Sequence, residues 1–296
     1  MITPNGGSNV AARPCGVKRA ACSGVVLLAS LTFPTARLAA QACDAGPRWS
    51  RAALIGGGFA ATQAIVIVAR HDAWWTTPTT GFHFTSGGSA SKEQDKLLHG
   101  AIAYHVSQAS AFAWDWACFP RTTAGWLGAA LGVLVGLPKE IGDGLHEDKG
   151  FATDDFAAGL IGAALPALHR SAPVTRAVLL KMNYWPSDEF RNSAEDLPDL
   201  ENDYAGQRYF LAINPGRAPG GAGPWPDWLG VAVGHSVPHW ATLPPVHEWY
   251  VTLDLNLRGL PIRASWWHTV ASVLDQIHFP LPGLRLVHGE IEVGLW

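Results

Sequence analysis

The chain has 296 residues, of which 48% are hydrophobic and only 15% charged, with 21 basic residues against 24 acidic ones. That balance excludes a disordered or supercharged chain, and a pI near 6.4 excludes the basic footprint of a nucleic-acid-binding protein. The 14 Trp exceed ordinary usage, and their placement says more than their number.

Val17, Lys18 and Arg19 form a short basic region before the apolar run Ala20 to Phe33, and Ala40-Gln41-Ala42 supplies a small-x-small cleavage site. This pattern predicts a secretory signal peptide over residues 1–42. The alternative is a buried N-terminal helix, which Pro34 disfavours. Cys43 then stands where a lipoprotein carries its acylated cysteine, although Ala40 and Gln41 fit ordinary cleavage equally well. Without the leader, 17 basic residues face 24 acidic ones, a net −7. Two cysteines remain, Cys43 and Cys118, and composition allows either one bridge or none.

Four uncharged runs follow: Ala52–Ala69, Leu97–Trp114, Thr122–Pro138 and Phe156–His169, of 18, 18, 17 and 14 residues. They are helical in length and composition, and the first and third are apolar all round, as helices in a large core or in lipid are. Gly128, Gly132 and Gly136 recur every four residues in the third run, a spacing that lets a neighbouring backbone approach closely. Trp49, Trp74, Trp75, Trp114, Trp116 and Trp126 fall at or just outside the run ends, where an interfacial aromatic belt would place them. The runs bracket or fall below the roughly 17 to 25 residues a spanning helix needs.

After an acidic stretch, Asp188 to Asp203, the period changes from helical to alternating. Trp249, Val251, Leu253, Leu255 and Leu257 alternate with Thr252, Asp254 and Asn256, which predicts a strand with its apolar face buried and its polar face wet. Arg208–Ile213 and Leu229–Gly234 read as further strands, Ser265–His278 as a helix with Ser265 as a candidate cap, and Leu284–Val287 with Ile291–Leu295 as a hairpin across His288-Gly289. Five such strands fall short of the eight of an outer-membrane barrel. The expected architecture is therefore α+β. An apolar four-helix bundle over 50–182, in a domain of residues 43–185, leads through an acidic linker over 186–203 to a small antiparallel β region with one helix over 204–296.

Polar residues gather at the ends of the apolar runs. Asp95, Lys96 and His99 open the second, Lys139, Glu140 and Asp143 close the third, and Asp154 and Asp155 precede the fourth, with Thr153 as a candidate cap. Helical spacing puts Asp95 with His99 and Glu140 with Asp143. In an antiparallel bundle the three groups meet at one end. Asp95, Lys96, His99, Glu140, Asp143 and Asp155 are then candidate catalytic residues, and Asp95, His99, Glu140 and Asp155 candidate ligands for a divalent metal. A carboxylate pair doing acid/base chemistry and a charged network capping the helix ends are the competing readings. The acids between Asp143 and Asp155 lack the alternation of a calcium loop. His235, His239, His247, His268, His278 and His288 have no ligand spacing and read as surface residues.

The segments Asp95-Lys96-Leu97-Leu98-His99, Lys139-Glu140-Ile141-Gly142-Asp143 and Gly150-Phe151-Ala152-Thr153-Asp154-Asp155-Phe156, with the later Gly162-Ala163, resemble the YfiM-type periplasmic lipoproteins. Their pattern is D-K-x-x-H, then K-E-x-x-D, then G-[FW]-S-x-x-D. Phe82-His83-Phe84 and Tyr204-Ala205-Gly206-Gln207 extend the resemblance over roughly Ala52 to Trp296. Ala152 stands where that family usually has Ser, and Gly159 where a polar residue usually follows the motif acid. A looser similarity links the D-K-x-x-H helix start to VanZ-like membrane proteins. The resemblance implies an exported envelope protein, periplasmic or outer-envelope, of a family whose own function is unknown; with the apolar bundle and its flanking indoles, the expectation is a membrane-associated, non-enzymatic protein with membrane or envelope partners and an anchoring or partner-binding role. The alternative is an envelope hydrolase or metal-dependent enzyme using the Asp/His/Glu cluster.

Overall fold

The computed structural model describes residues 43, 46–86, 93–192, 202–221, 223, 225–238 and 245–296. The expected signal peptide, part of the linker and His239 lie outside the described residues. The helices are α1 (Trp49–Trp74), α2 (Gln94–Trp116), α3 (Arg121–Leu134), α4 (Leu137–Asp143), α5 (Thr153–Ser171), the short α6 (Asp188–Arg191) and α7 (Trp267–Leu274). The strands are β1 (Phe84–Thr85), β2 (Phe151–Ala152), β3 (Val178–Tyr184), β4 (Gln207–Ile213), β5 (Leu229–Ser236), β6 (Glu248–Leu255), β7 (Pro282–Val287) and β8 (Glu290–Leu295).

An apolar four-helix bundle followed by a small β region does not form. The tight helical core is made by α2, α3 and α5, while α1 has no buried residue although it runs beside them. The three-helix core is held by small side chains. Where α2, α3 and α5 touch, the contact residues are Gly, Ala and Ser, so backbones approach closely. A Cβ on Gly128 or Gly132 would come within 2.5 Å of the Ser107 or Ala103 carbonyl oxygen, and Ser107 Oγ donates to Ala163 O at 2.8 Å. Gly136 lies beyond α3, where a Cβ would meet only His99, at 3.7 Å. α1 offers Leu54, Ile65 and Val68 to its surroundings instead. It is held by a few polar ties, such as Gln63 Nε2 to Val135 O at 2.9 Å. At 26 residues it is about 39 Å long, enough to cross a bilayer. The stretch Arg121–Asp143 is apolar enough by the same measure, but it breaks between α3 and α4 and packs into the bundle.

The β part is larger than expected. Strands β3 to β8 form one antiparallel six-stranded sheet in sequence order, and β1 pairs with β2 in parallel. Val178–Tyr184, the tail of the expected helical half, is the first strand. A parallel bridge between Met182 and Ile277 ties the outer edge of β3 to the segment leading into β7, so the sheet curls back on itself. The β7–β8 hairpin turns at His288 and Gly289, both with positive φ (52° and 81°), as a tight primed turn requires.

The orientation of the sheet corrects a second expectation. In β6 the polar face is covered, with Glu248, Thr252 and Asp254 buried, and the apolar face bearing Trp249 and Val251 is open. Inside the curl, Lys181 is fully buried, its Nζ 2.9 Å from Asp254 Oδ2 and 3.3 Å from Asp275 Oδ1. His278 Nδ1 lies 3.0 Å from Asp254 Oδ1, Arg217 pairs with Asp275, and the His278 ring stacks on Phe210 at 3.9 Å. His235 and His278 are buried rather than at the surface, His278 inside the curl against Asp254 and His235 on the opposite face of the sheet, where its Nδ1 lies 3.0 Å from Gln94 Oε1.

The closed end of the molecule is pinned by a Cys43–Cys118 disulfide spanning 75 residues. A loop of that length is worth about 4 kcal/mol in the chain-entropy model.

Two substitutions test these contacts. Gly162→Ala pushes a methyl into the Gly100 carbonyl, whereas Gly159→Ala meets open space. The first should cost about 1–3 kcal/mol and the second be neutral or slightly stabilising, read by denaturant titration. Lys181→Met leaves Asp254 and Asp275 buried without the ammonium and should cost about 3 kcal/mol or more by the same measurement.

Candidate metal centre

Three separate helix ends deliver the polar groups. Asp95 and Lys96 sit in the first turn of α2 with His99 one turn on, Glu140 and Asp143 lie in α4, and Asp154 and Asp155 occupy the first turn of α5. α2 and α5 start together because the Gly100 and Gly162 backbones touch. α4 is brought in by the short turn that follows α3. Phe84–Thr85 pairs with Phe151–Ala152 and fixes the residue before α5, so that Ala152 N donates to Glu140 Oε2 at 3.1 Å.

At the meeting point, His99, Glu140 and Asp155 each offer a ligand atom within 4.8 Å of the others. His99 Nε2 is 3.7 Å from Glu140 Oε1. Glu140 is 2% exposed and Asp155 6%, and Asp155 Oδ1 is buried with no hydrogen-bond partner. An unsatisfied buried carboxylate oxygen is costly unless something completes it.

The remaining candidates surround this trio without joining it. Lys96 Nζ is 2.7 Å from Glu93, 3.1 Å from Asp154 and 3.9 Å from Asp95. Burial favours the neutral amine of Lys96, but the bonds to Glu93 and Asp154 outweigh it and hold the lysine protonated. Asp143 turns away from the trio. It accepts from Trp75 Nε1 and Lys139 Nζ, both at 2.7 Å, with Lys149 at 3.7 Å. Trp75, which also stacks on His146 at 5.5 Å, carries no sequence signal for this role beyond its place at the end of an apolar run. The Ala152 amide has none either, since any residue supplies it.

Burial raises the pKa of Asp155 to about 7, reinforced by the charges of Asp95, Glu140 and Asp154 and opposed by Lys96. Burial also raises Glu140, against the pull of Lys139 and of the Ala152 N–H. Two carboxylates beside each other with lifted pKa values and a histidine can either share protons or hold a cation.

No family model, curated protein or solved structure matches the chain.

The folded Asp155 carboxyl titrates well above the ordinary value of 3.8. Its contribution to stability is therefore greatest in acid and is lost as pH rises from about 4 to about 7. In chelator-treated protein, Asp155→Asn should add about 4 kcal/mol at pH 8 and little at pH 4, checked by thermal unfolding across pH.

Proposed function

We propose that the protein is an exported, membrane-associated envelope protein that holds a divalent metal ion at His99, Glu140 and Asp155. One observation carries this reading: two buried carboxylates and an imidazole, from three helices, aim ligand atoms at one point within 4.8 Å. Without a cation the arrangement places like charges together and leaves Asp155 Oδ1 unpartnered. A cation answers both. Helix-borne carboxylates and a histidine are the donors that bundle metal sites use. Three protein ligands leave a coordination position for water, the feature that separates hydrolytic from structural metal sites. Asp95, Lys96 and Asp154 form the polar rim, with Lys96 held between Glu93 and Asp154.

Anchoring falls to α1, which is bare, apolar and long enough to span. The Cys43 thiol is consumed in the bond to Cys118, and a thioether-linked lipid on the same sulfur excludes that bond. The disulfide fits an oxidising compartment. The resemblance to YfiM-type proteins agrees with this placement. The departure at Gly159 sits where a Cβ would meet nothing within 4 Å, away from the trio.

The test is the metal content of the full chain, purified in detergent without chelator. Close to one zinc or manganese ion per chain is expected by elemental analysis, with His99→Ala and Glu140→Gln each lowering retention at least tenfold and Asp143→Asn leaving it intact. Metal that stays stoichiometric in both site variants, or never binds when supplied, overturns the assignment.

A further inference from the structure

The six-stranded sheet carries its charged groups on the covered face and an apolar surface on the open one. On its covered side Lys181, Asp254, Glu248 and His278 are buried and paired, beside the apolar cluster of Leu179, Phe210, Ala212, Ala232 and Tyr250. Its open side presents Leu211, Val231, Val233, Val251, Leu284 and Val293, each more than a third exposed and Val293 83% exposed. Among the described residues, no Asp, Glu, Lys or Arg points outward on β4 to β8. In water an antiparallel sheet places its apolar face inward and its polar face outward. The reverse order is what strands adopt when the outer solvent is hydrocarbon.

Tryptophan brackets this face at both ends. The strand register aligns Met182, Tyr209, His235 and Trp249 in one row, and Trp185 lies three residues past Met182, about 10 Å further toward the same end. Trp225 and Trp228 precede β5, with Trp225 Nε1 donating to Leu229 O. Leu229 pairs with Leu255, and Trp267 Nε1 reaches Leu257 O just beyond at 3.1 Å, so these three indoles and Trp266 mark the other level. Trp185, Trp249, Trp225, Trp228 and Trp266 are all exposed. Between Trp249 and the Leu229–Leu255 row runs a band of Leu and Val over six residues of strand, or about 20 Å. Apolar bands of outer-membrane proteins are about 25 Å tall with aromatic girdles on either side.

One end of the bundle meets the sheet near the row of Trp249. Gln94, opening α2, donates to Gln207 O at 2.8 Å, and Trp75 at the end of α1 bonds to Asp143 nearby in the cluster. Trp49 and Trp116 lie at the opposite ends of α1 and α2, where Arg48 N donates to Ala117 O.

We propose that the open face of the sheet lies against the hydrocarbon of a lipid bilayer, with the two rows of indoles at the headgroup levels. The proposal rests on membrane association but is independent of the metal. Hydrocarbon requires every backbone group to be satisfied, and among the described residues no strand pairs with the outer edge of β8. β8 therefore marks the boundary of the embedded band, and β5 to β7 its centre.

The experiment uses the full chain reconstituted in phosphatidylcholine–phosphatidylglycerol vesicles containing a phospholipid with a diazirine in its acyl chain, followed by irradiation and peptide mapping. Adducts are expected on 49–74 and on the outward residues of β5, β6 and β7, with fewer on β8. A Val233→Lys, Val251→Lys double variant should lose at least tenfold of the β5 and β6 adducts while keeping its metal content. If it does not fold, Val251→Thr should give a partial loss. Adducts confined to 49–74 overturn the sheet assignment and leave anchoring by α1 standing. No adducts, with a detergent-free dimer in solution, overturn both, because a second copy would then cover the face.

Discussion

The buried ammonium of Lys181, between Asp254 and Asp275, is the constraint around which the β half is organised. Desolvating an ion costs several kcal/mol, recovered only when opposite charges and hydrogen bonds surround it. Lys181 meets that condition with two carboxylates and the Leu255 carbonyl at 2.8 Å, and the carboxylates are shared with Arg217 and His278. Because strand side chains alternate, turning Lys181 and Asp254 inward turns their Leu and Val neighbours outward. The bridge from Met182 to Ile277 brings Asp275 and His278 to the lysine, so the curl of the sheet and the charge network are one feature.

The helical half obeys a different rule. Its cohesion comes from small side chains that let backbones touch, with the Ala103, Ala129, Ala163 and Ala167 cluster at the centre. A bidentate Arg170–Asp115 pair at 2.7 and 2.9 Å closes one end. At the other end the Gly100–Gly162 contact holds the starts of α2 and α5 together, and Asp155 and Glu140 are buried beside His99. The lifted pKa values of both acids follow from that packing. Separated on an open surface, the same residues would be ordinary solvated acids.

The two halves share an arrangement in which charge is inside or at the ends and apolar surface is outside. α1, the outer positions of β4 to β8, and exposed Leu160 and Ile161 on α5 all present hydrocarbon side chains outward. On the proposed membrane placement the low charge content and the excess of Trp have one cause, because few charges are needed where little surface meets water and indoles collect where an apolar band ends.

Much of this was legible in the sequence. The i, i+3 and i, i+4 spacing of Asp95 with His99 and of Glu140 with Asp143 placed the acids on common helix faces, and Gly128 and Gly132 announced a close helix contact. Alternation in Trp249 to Leu257 marked a strand, and His288-Gly289 a hairpin turn, since each follows from local geometry. Other features were not legible, for physical reasons. Leu179-Leu180-Lys181-Met182 has no period that separates a strand from the tail of a helix. The apolarity of α1 suits a core and a lipid equally, and its own small residues Gly56, Gly57 and Gly58 meet nothing within 4 Å. Helical spacing put Asp143 beside Glu140, but a distant indole and two lysines drew it away from the cluster. Above all, a period of two says that the two faces of a strand differ, and is silent on which is covered. That choice was made only in the folded chain, where Lys181, Asp254, Asp275 and His278, far apart in sequence, satisfied one another inside the sheet and left its leucines and valines on the outside.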